Sequence, residues 1–186
     1  MAWEVEQKFR VSNLIALKSK IESLGGLPGK VENQTDTYFR HPCRDFKRTD
    51  EAFRFRTIND ETFVTYKGPR LAGPVKTRPE IELPIVSNTV DQWRTIWLAL
   101  GFTIAADVRK VRHSFSILWR GTSVIIALDQ VDGLGSFAEV ELVIEREEDL
   151  SQSNELIQSL AQELGLTDIE KRSYLRLVLD QLRPET

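Results

Sequence analysis

Glu4-Val5-Glu6-Gln7-Lys8 sets two carboxylates and an ammonium at alternate positions. Side chains on a β-strand alternate between its faces. If the stretch is extended, Glu4, Glu6 and Lys8 share one face, which Arg10 continues, while Val5, Phe9 and Val11 help form the other. Same-face neighbours lie roughly 6.6 Å apart, so two carboxylates can converge on one cation. A lysine one step further can reach a phosphate bound to the same metal. Taken alone, the pentapeptide reads more simply as a half-exposed edge strand with its charges in water, since a short motif carries little information. Recurrence shifts that reading. Arg54 and Arg56 alternate with Phe53 and Phe55, Glu80 and Glu82 with Ile81 and Leu83, and Glu139 and Glu141 continue the pattern.

The elements that would hold these positions follow in order. Ser12-Asn13 caps a helix with Leu14, Leu17, Ile21 and Leu24 on one face, closed by Gly25-Gly26. Residues 30–39 read as a strand containing Asp36 and Tyr38, and 51–58 as the strand of Arg54 and Arg56. Asn59-Asp60 turns the chain back into 63–67, which Gly68-Pro69 ends; the stretch to Pro74 is a loop and 76–86 is extended. In the second half, Thr89 with Gln92 offers a capping box for a helix bearing Val90, Trp93, Trp97 and Leu100, closed by Gly101. Strands at 107–119, 123–130 and 137–146 follow, then helices at 154–164 and 174–182. Helices in both halves end in Leu-Gly before a strand, and Phe39 and Phe115 share an offset, which reads as a weak internal duplication. No linker or low-complexity segment divides the chain, so one domain over 1–186 is expected.

At 186 residues and 41% hydrophobic content the chain can bury a real core. A formal charge of −3 argues against a nucleic-acid or anionic-membrane binder, while leaving room for a basic lining balanced by acidic outer surfaces. Cys43 is the only cysteine, which excludes an internal disulfide and a cysteine-based zinc cluster. With no apolar leader and no spanning stretch, a cytoplasmic setting is expected.

About eight strands, joined by tight turns or single helices, pair one charged face with one hydrocarbon face. Water could take the charged face. The helices, however, carry apolar stripes, and the apolar strand faces are their natural partners. An eight-stranded barrel also leaves room for one small ligand. An inward ionic lining is costly, on the order of tens of kcal/mol for an isolated ion in a dry interior, and survives only if wet, mutually paired or filled. Guanidinium and ammonium groups suit a chain of phosphates, and carboxylates suit a hard divalent cation such as Mg²⁺. Acid and base together specify a metal–polyphosphate complex.

Glu4-x-Glu6-x-Lys8, Arg54-x-Arg56, Tyr66-Lys67-Gly68-Pro69-Arg70, Lys110-x-Arg112, Gly133-Leu134-Gly135-x-Phe137-x-Glu139-x-Glu141 and Arg172-Ser173-Tyr174 resemble, in order, the CYTH or triphosphate-tunnel family. Class IV adenylyl cyclases, thiamine triphosphatases and inorganic tripolyphosphatases belong to it. The match covers essentially the whole chain, and Asp36-Thr37-Tyr38-Phe39 with Thr49-Asp50-Glu51-Ala52 looks most like the bacterial and archaeal class IV cyclase branch. The resemblance implies an α+β fold, an eight-stranded antiparallel β-barrel forming a tunnel with helices packed outside. It implies that Glu4, Glu6 and Glu139 hold Mg²⁺ or Mn²⁺, with Glu141 and Asp129 as additional ligands. Lys8, Arg54, Arg56, Lys67, Lys110 and Arg112 would grip the triphosphate, and Arg172 would close one mouth.

In the cyclase reading the ribose 3′-oxygen of ATP attacks the α-phosphorus and pyrophosphate leaves. In the hydrolase reading water attacks the terminal phosphorus of tripolyphosphate, thiamine triphosphate or a nucleotide. A non-catalytic polyphosphate sensor is the third reading, and the full acidic set speaks against it. Class IV cyclases can lack the acid that Glu141 supplies, whereas triphosphatases tend to keep it, so reaction type stays open. Lys8 is the expected general base; Tyr38 joins it or is an ordinary packed strand aromatic. Family members often dimerise, so a homodimer is among the expectations. His41 and His113 read as surface or packing histidines and Trp93 and Trp97 as core. Arg44, Lys47 and Arg48 read as a solvated loop near a tunnel mouth.

Overall fold

The computed structural model describes residues 3–71 and 76–182. Among them are eight strands: β1 (Trp3–Arg10), β2 (Leu27–Arg40), β3 (Ala52–Ile58), β4 (Glu61–Lys67), β5 (Lys76–Ile85), β6 (Thr103–Trp119), β7 (Thr122–Val131) and β8 (Gly135–Ile144). Five α-helices accompany them: α1 (Leu14–Ser23), α2 (Phe46–Thr49), α3 (Val90–Ala99), α4 (Leu150–Leu164) and α5 (Tyr174–Gln181). All strands pair antiparallel in one closed barrel, ordered β1-β5-β4-β3-β2-β6-β7-β8. Exchanging β1–β4 with β5–β8 leaves every neighbour relation in that ring unchanged, as the Leu-Gly helix endings of the two halves suggest. The eight-stranded antiparallel barrel with helices outside is therefore the fold.

Several boundaries differ from those the local pattern predicts. β2 and β6 are longer than expected because they pair with each other from Leu27↔Ser116 to Arg40↔Thr103, and pairing carries both strands past their alternating cores. Asn13 caps α1 as expected, accepting from the Ala16 N–H at 2.9 Å. The Thr89–Gln92 capping box is not formed; a 3₁₀ turn precedes α3 and the Thr89 hydroxyl donates to the Val86 carbonyl instead. α2 was not foreseen: Asp45 caps a single turn too short for any periodicity to mark. The loop expected to reach Pro74 enters 72–75, outside the described residues.

Most of the core lies outside the barrel wall, while a smaller cluster of Tyr38, Val108, Val131 and Phe137, on the strand faces that carry Asp36, Lys110, Asp129 and Glu139, packs against Tyr174 and Leu177 of α5. Val5 and Phe9 of β1, Phe115 and Ile117 of β6, Val124, Ile126 and Leu128 of β7 and Val140 and Leu142 of β8 pack against Leu17 and Ile21 of α1 and Leu156, Ile157 and Leu160 of α4. A second cluster puts α3 over β2 and β3, where Trp97 stacks on Phe53 at 3.9 Å and meets Phe39 and Phe55. Trp93, expected in the core, is 43% exposed at the helix edge. Ile81 and Leu83, on the outer face of β5, are also exposed. No described helix is long and apolar enough to cross a membrane.

One stretch of wall is not a named strand. β5 pairs with β1 only from Trp3 to Glu6. Beyond that, the connector between α4 and α5 takes over: Arg10 N–H donates to Asp168 O, Glu170 N–H to Lys8 O, and Phe9 bridges Ile169. The connector thus lies beside the strand that carries Lys8.

Candidate active site in the barrel interior

With hydrocarbon outside, period-two alternation aims the ionic residues inward. Glu6, Lys8, Asp36, Arg54, Lys67, Lys110, Arg112, Asp129 and Glu139 are all buried, and Lys8 is 2% exposed. Such burial is tolerable only with partners, and most have them. Asp36 accepts from Arg56 Nε and Nη2 at 2.7 and 2.9 Å and from Arg54 Nη1 at 3.1 Å. Asp129 accepts from Arg112 Nε and Nη2 at 2.7 and 2.6 Å, lies 3.5 Å from Lys110 Nζ and accepts from the Tyr174 hydroxyl at 2.8 Å. Arg112 also pairs with Glu139. Lys67 pairs with Glu4 and, at 2.9 Å, with Glu80; Lys76 pairs with Glu6 at 2.9 Å.

Three carboxylates gather at one place. Oxygens of Glu4, Glu6 and Glu141 lie within 4.8 Å of one another. The register explains it: Glu6 sits opposite Glu141 across β1–β8, and Glu4 is the next inward position of β1. Opposed oxygens on one Mg²⁺ are about 4.1 Å apart, so a small side-chain closure fits this hard-oxygen set to a single divalent cation. The electrostatics agree. Burial pushes the Glu4 carboxyl up to about 8, against Lys67 and with Glu6, Glu80 and Glu141 adding to the rise. Burial also raises Glu141, with Glu139 and Glu6 beside it. Burial acts on Glu6 in the same sense, but Lys76 and Lys67 outweigh it and hold that carboxyl well below its ordinary range.

The basic wall has open valences. Arg54 Nη1 donates to Asp36 and to the Tyr38 hydroxyl, whereas its Nε and Nη2 are buried with no hydrogen-bond partner among the described residues. Lys8 Nζ makes no ion pair within 4.0 Å among them and lies 3.9 Å over the Tyr174 ring. Burial, then repulsion from Lys76, brings the Lys8 ammonium down to about 8. Burial and Arg112 do the same for Lys110.

The expected residues are placed as follows. Glu4, Glu6 and Glu141 converge, whereas Glu139 and Asp129 face Arg112. Lys8, Arg54, Arg56, Lys67, Lys110 and Arg112 all lie on inward positions of the wall. Tyr38 is buried with its hydroxyl on Arg54. Arg172 is not in the lining: it is half exposed at the rim, its guanidinium on Glu170 at 2.9 and 2.7 Å, and it borders a groove of about 1090 Å³ between the 41–51 segment, which includes α2, and α5. Arg44 and Lys47 line that same groove, but Lys47 and Arg48, expected in a loop, lie on the short helix α2. Sequence reasoning gave no role to Asp36, Lys76 or Tyr174. Asp36 was detectable, because it stands two residues before Tyr38 on the same face. Lys76 and Tyr174 reach the interior through strand pairing and helix docking that no local pattern encodes.

A CYTH domain model matches residues 2–174, and the chain belongs to the CYTH-domain family. Among its relatives, a Methanocaldococcus jannaschii protein called "Putative adenylate cyclase" is 34% identical, the match covering 97% of this chain and 98% of that one. Adenylate cyclase CyaB of Aeromonas hydrophila is 26% identical over 94% and 88% of the two chains. The solved structure of the PH1819 protein from Pyrococcus horikoshii superposes with a TM-score of 0.85 at 36% identity, covering 96% of this chain and 99% of that one.

Proposed function

We propose that the barrel interior binds a triphosphate with a divalent cation and acts on it as a class IV adenylyl cyclase does, converting ATP to cyclic AMP and pyrophosphate. One observation carries the reading: a trio of carboxylates and a wall of buried cations face each other inside one closed sheet, with Arg54 Nε and Nη2 making no hydrogen bond among the described residues. The names of the Methanocaldococcus and Aeromonas relatives support the same choice of reaction.

Glu4, Glu6 and Glu141 would hold Mg²⁺ or Mn²⁺. When bound, the cation neutralises phosphate charge and polarises the reacting phosphoryl group. Arg54, Arg56, Lys110 and Arg112 bind and orient the phosphates from the opposite wall, exchanging part of their pairing with Asp36, Asp129 and Glu139 for phosphate oxygens. Lys67, between Glu4 and Glu80, sits where acid and base walls meet. Phosphoryl transfer needs little covalent help, so positioning and charge neutralisation supply most of the rate. Lys8, whose ammonium is brought down to about 8, takes the proton of the 3′-hydroxyl in its free-amine form as that oxygen bonds to the α-phosphorus and the bond to pyrophosphate breaks.

A second reading rests on Glu141. Its place beside Glu4 and Glu6 completes the acidic set that triphosphatases of this family tend to keep. There water attacks the terminal phosphorus, the bond from that phosphorus to the bridging oxygen breaks with the diphosphate end as leaving group, and orthophosphate is released. Incubating the protein with Mg²⁺ or Mn²⁺ and ATP, tripolyphosphate or thiamine triphosphate in turn separates the two. Cyclic AMP with pyrophosphate is expected; orthophosphate alone would establish the hydrolase, and no turnover of any of the three would refute both.

A further inference from the structure

We propose that Asp36 is a positioning residue, one that sets the phosphate-facing edge of the Arg54–Arg56 pair. The inference rests on the triphosphate reading of the interior. Asp36, on β2, is 1% exposed, and β3 places Arg56 directly opposite it with Arg54 opposite Tyr38. The carboxylate takes the Arg56 fork through Nε and Nη2 and the Nη1 of Arg54, three hydrogen bonds of 2.7–3.1 Å. Tyr38 accepts from the same Arg54 nitrogen at 3.0 Å. Arg54 is therefore held by one corner, and the edge carrying Nε and Nη2 is buried and makes no hydrogen bond among the described residues, its nearest acid being Glu80, 4.0 Å from Nη2. That edge is an anion receptor whose direction depends on what grips the opposite corner.

Charge alone gives no reason for such a residue. A carboxylate beside an anion site repels the anion, and burying it carries a desolvation cost. Fixing a planar donor array before the ligand arrives is what offsets both. A related arrangement recurs on the other wall, with the phenol on the carboxylate instead of on the cation. Asp129 takes the Arg112 fork, approaches a second cation, Lys110, and accepts from a phenol, Tyr174. Under the exchange of barrel halves, β2 and β3 map onto β6 and β7, so the two assemblies occupy related places with acid and base strands interchanged. What the two share is a buried carboxylate that takes an arginine fork and lies against a second cation, which argues that holding guanidinium groups is the purpose.

The test is calorimetric titration of Mg²⁺-tripolyphosphate into the wild type, D36N, D36E and R56K. D36N keeps the shape and removes the charge; D36E keeps the charge and moves it. The clamp predicts binding weaker by about tenfold or more in both, the range seen when a group orienting a ligand-binding side chain is lost. A counter-ion role predicts tighter binding in D36N and near wild-type affinity in D36E, and that pair of results would overturn the inference. If D36N does not fold, R56K carries the test: losing the fork at constant charge should cost a similar factor, and undiminished affinity refutes the clamp. A wild type that fails to bind tripolyphosphate would instead bring down the triphosphate reading, and the clamp with it.

Discussion

At the scale of single residues, the account turns on which acid faces which base. Period-two alternation made the inward faces legible: Glu4, Glu6 and Lys8 on β1, Arg54 and Arg56 on β3. It could not assign partners. Glu139 was expected beside Glu4 and Glu6 with Glu141 and Asp129 as additional ligands; the β1–β8 register puts Glu141 opposite Glu6 and Glu139 opposite Lys8. Pairing register is a property of two strands, and one strand's pattern does not contain it. Removing the Glu6 charge should be decisive: E6Q is expected to lower turnover by roughly a hundredfold or more while its circular dichroism and melting curve stay close to wild type. Retained turnover would take Glu6 out of the chemistry. Glu170 offers a separate test through pH. Hydrogen bonds from Arg172, with Arg10 adding another, bring its carboxyl down to about 2 from an ordinary 4.5. A depressed acid contributes stability above its unfolded value, and that contribution is lost as pH falls from about 4.5 toward 2. E170Q should therefore flatten the acid limb of the stability curve; an unchanged limb would mean those hydrogen bonds contribute nothing.

At the scale of elements, helices cover hydrocarbon and thereby turn the sheet's charge inward. Leu160 of α4 is fully buried against the outer wall. L160A should destabilise the fold by about 2–5 kcal/mol, as large-to-small core changes do, with little effect on tripolyphosphate affinity in the fraction that remains folded. Equal loss of affinity would mean that the outer core and the lining are not separable. Tyr174 is the opposite case, since α5 delivers it to the interior. Y174F removes one hydrogen bond from a carboxylate that keeps Arg112 and Lys110, so about 1 kcal/mol of stability is expected to go, read from denaturant midpoints. The sequence marks α1 and α4 through their apolar stripes. It does not mark the strand-like 168–170 connector, whose only signal is hydrogen bonding to a distant strand.

For the molecule as a whole, a net charge of −3 conceals a strongly basic wall, because acidic residues both pair with it and populate the exterior. The doubled topology was visible only as two Leu-Gly helix endings and an offset phenylalanine, yet it governs the ring order of all eight strands. A ligand that fills a cavity lined by paired charges should stabilise the closed barrel. Tripolyphosphate with Mg²⁺ at a hundredfold excess over its dissociation constant is worth about 2.7 kcal/mol, seen as a rise in melting temperature. The most direct measurement is anomalous diffraction from crystals holding Mn²⁺ and tripolyphosphate. The account predicts a manganese peak bounded by Glu4, Glu6 and Glu141, with the phosphate chain running from it along Arg54, Arg56, Lys110 and Arg112. Manganese and phosphate bound only on the outer surface, with the lining still paired to itself, would contradict it.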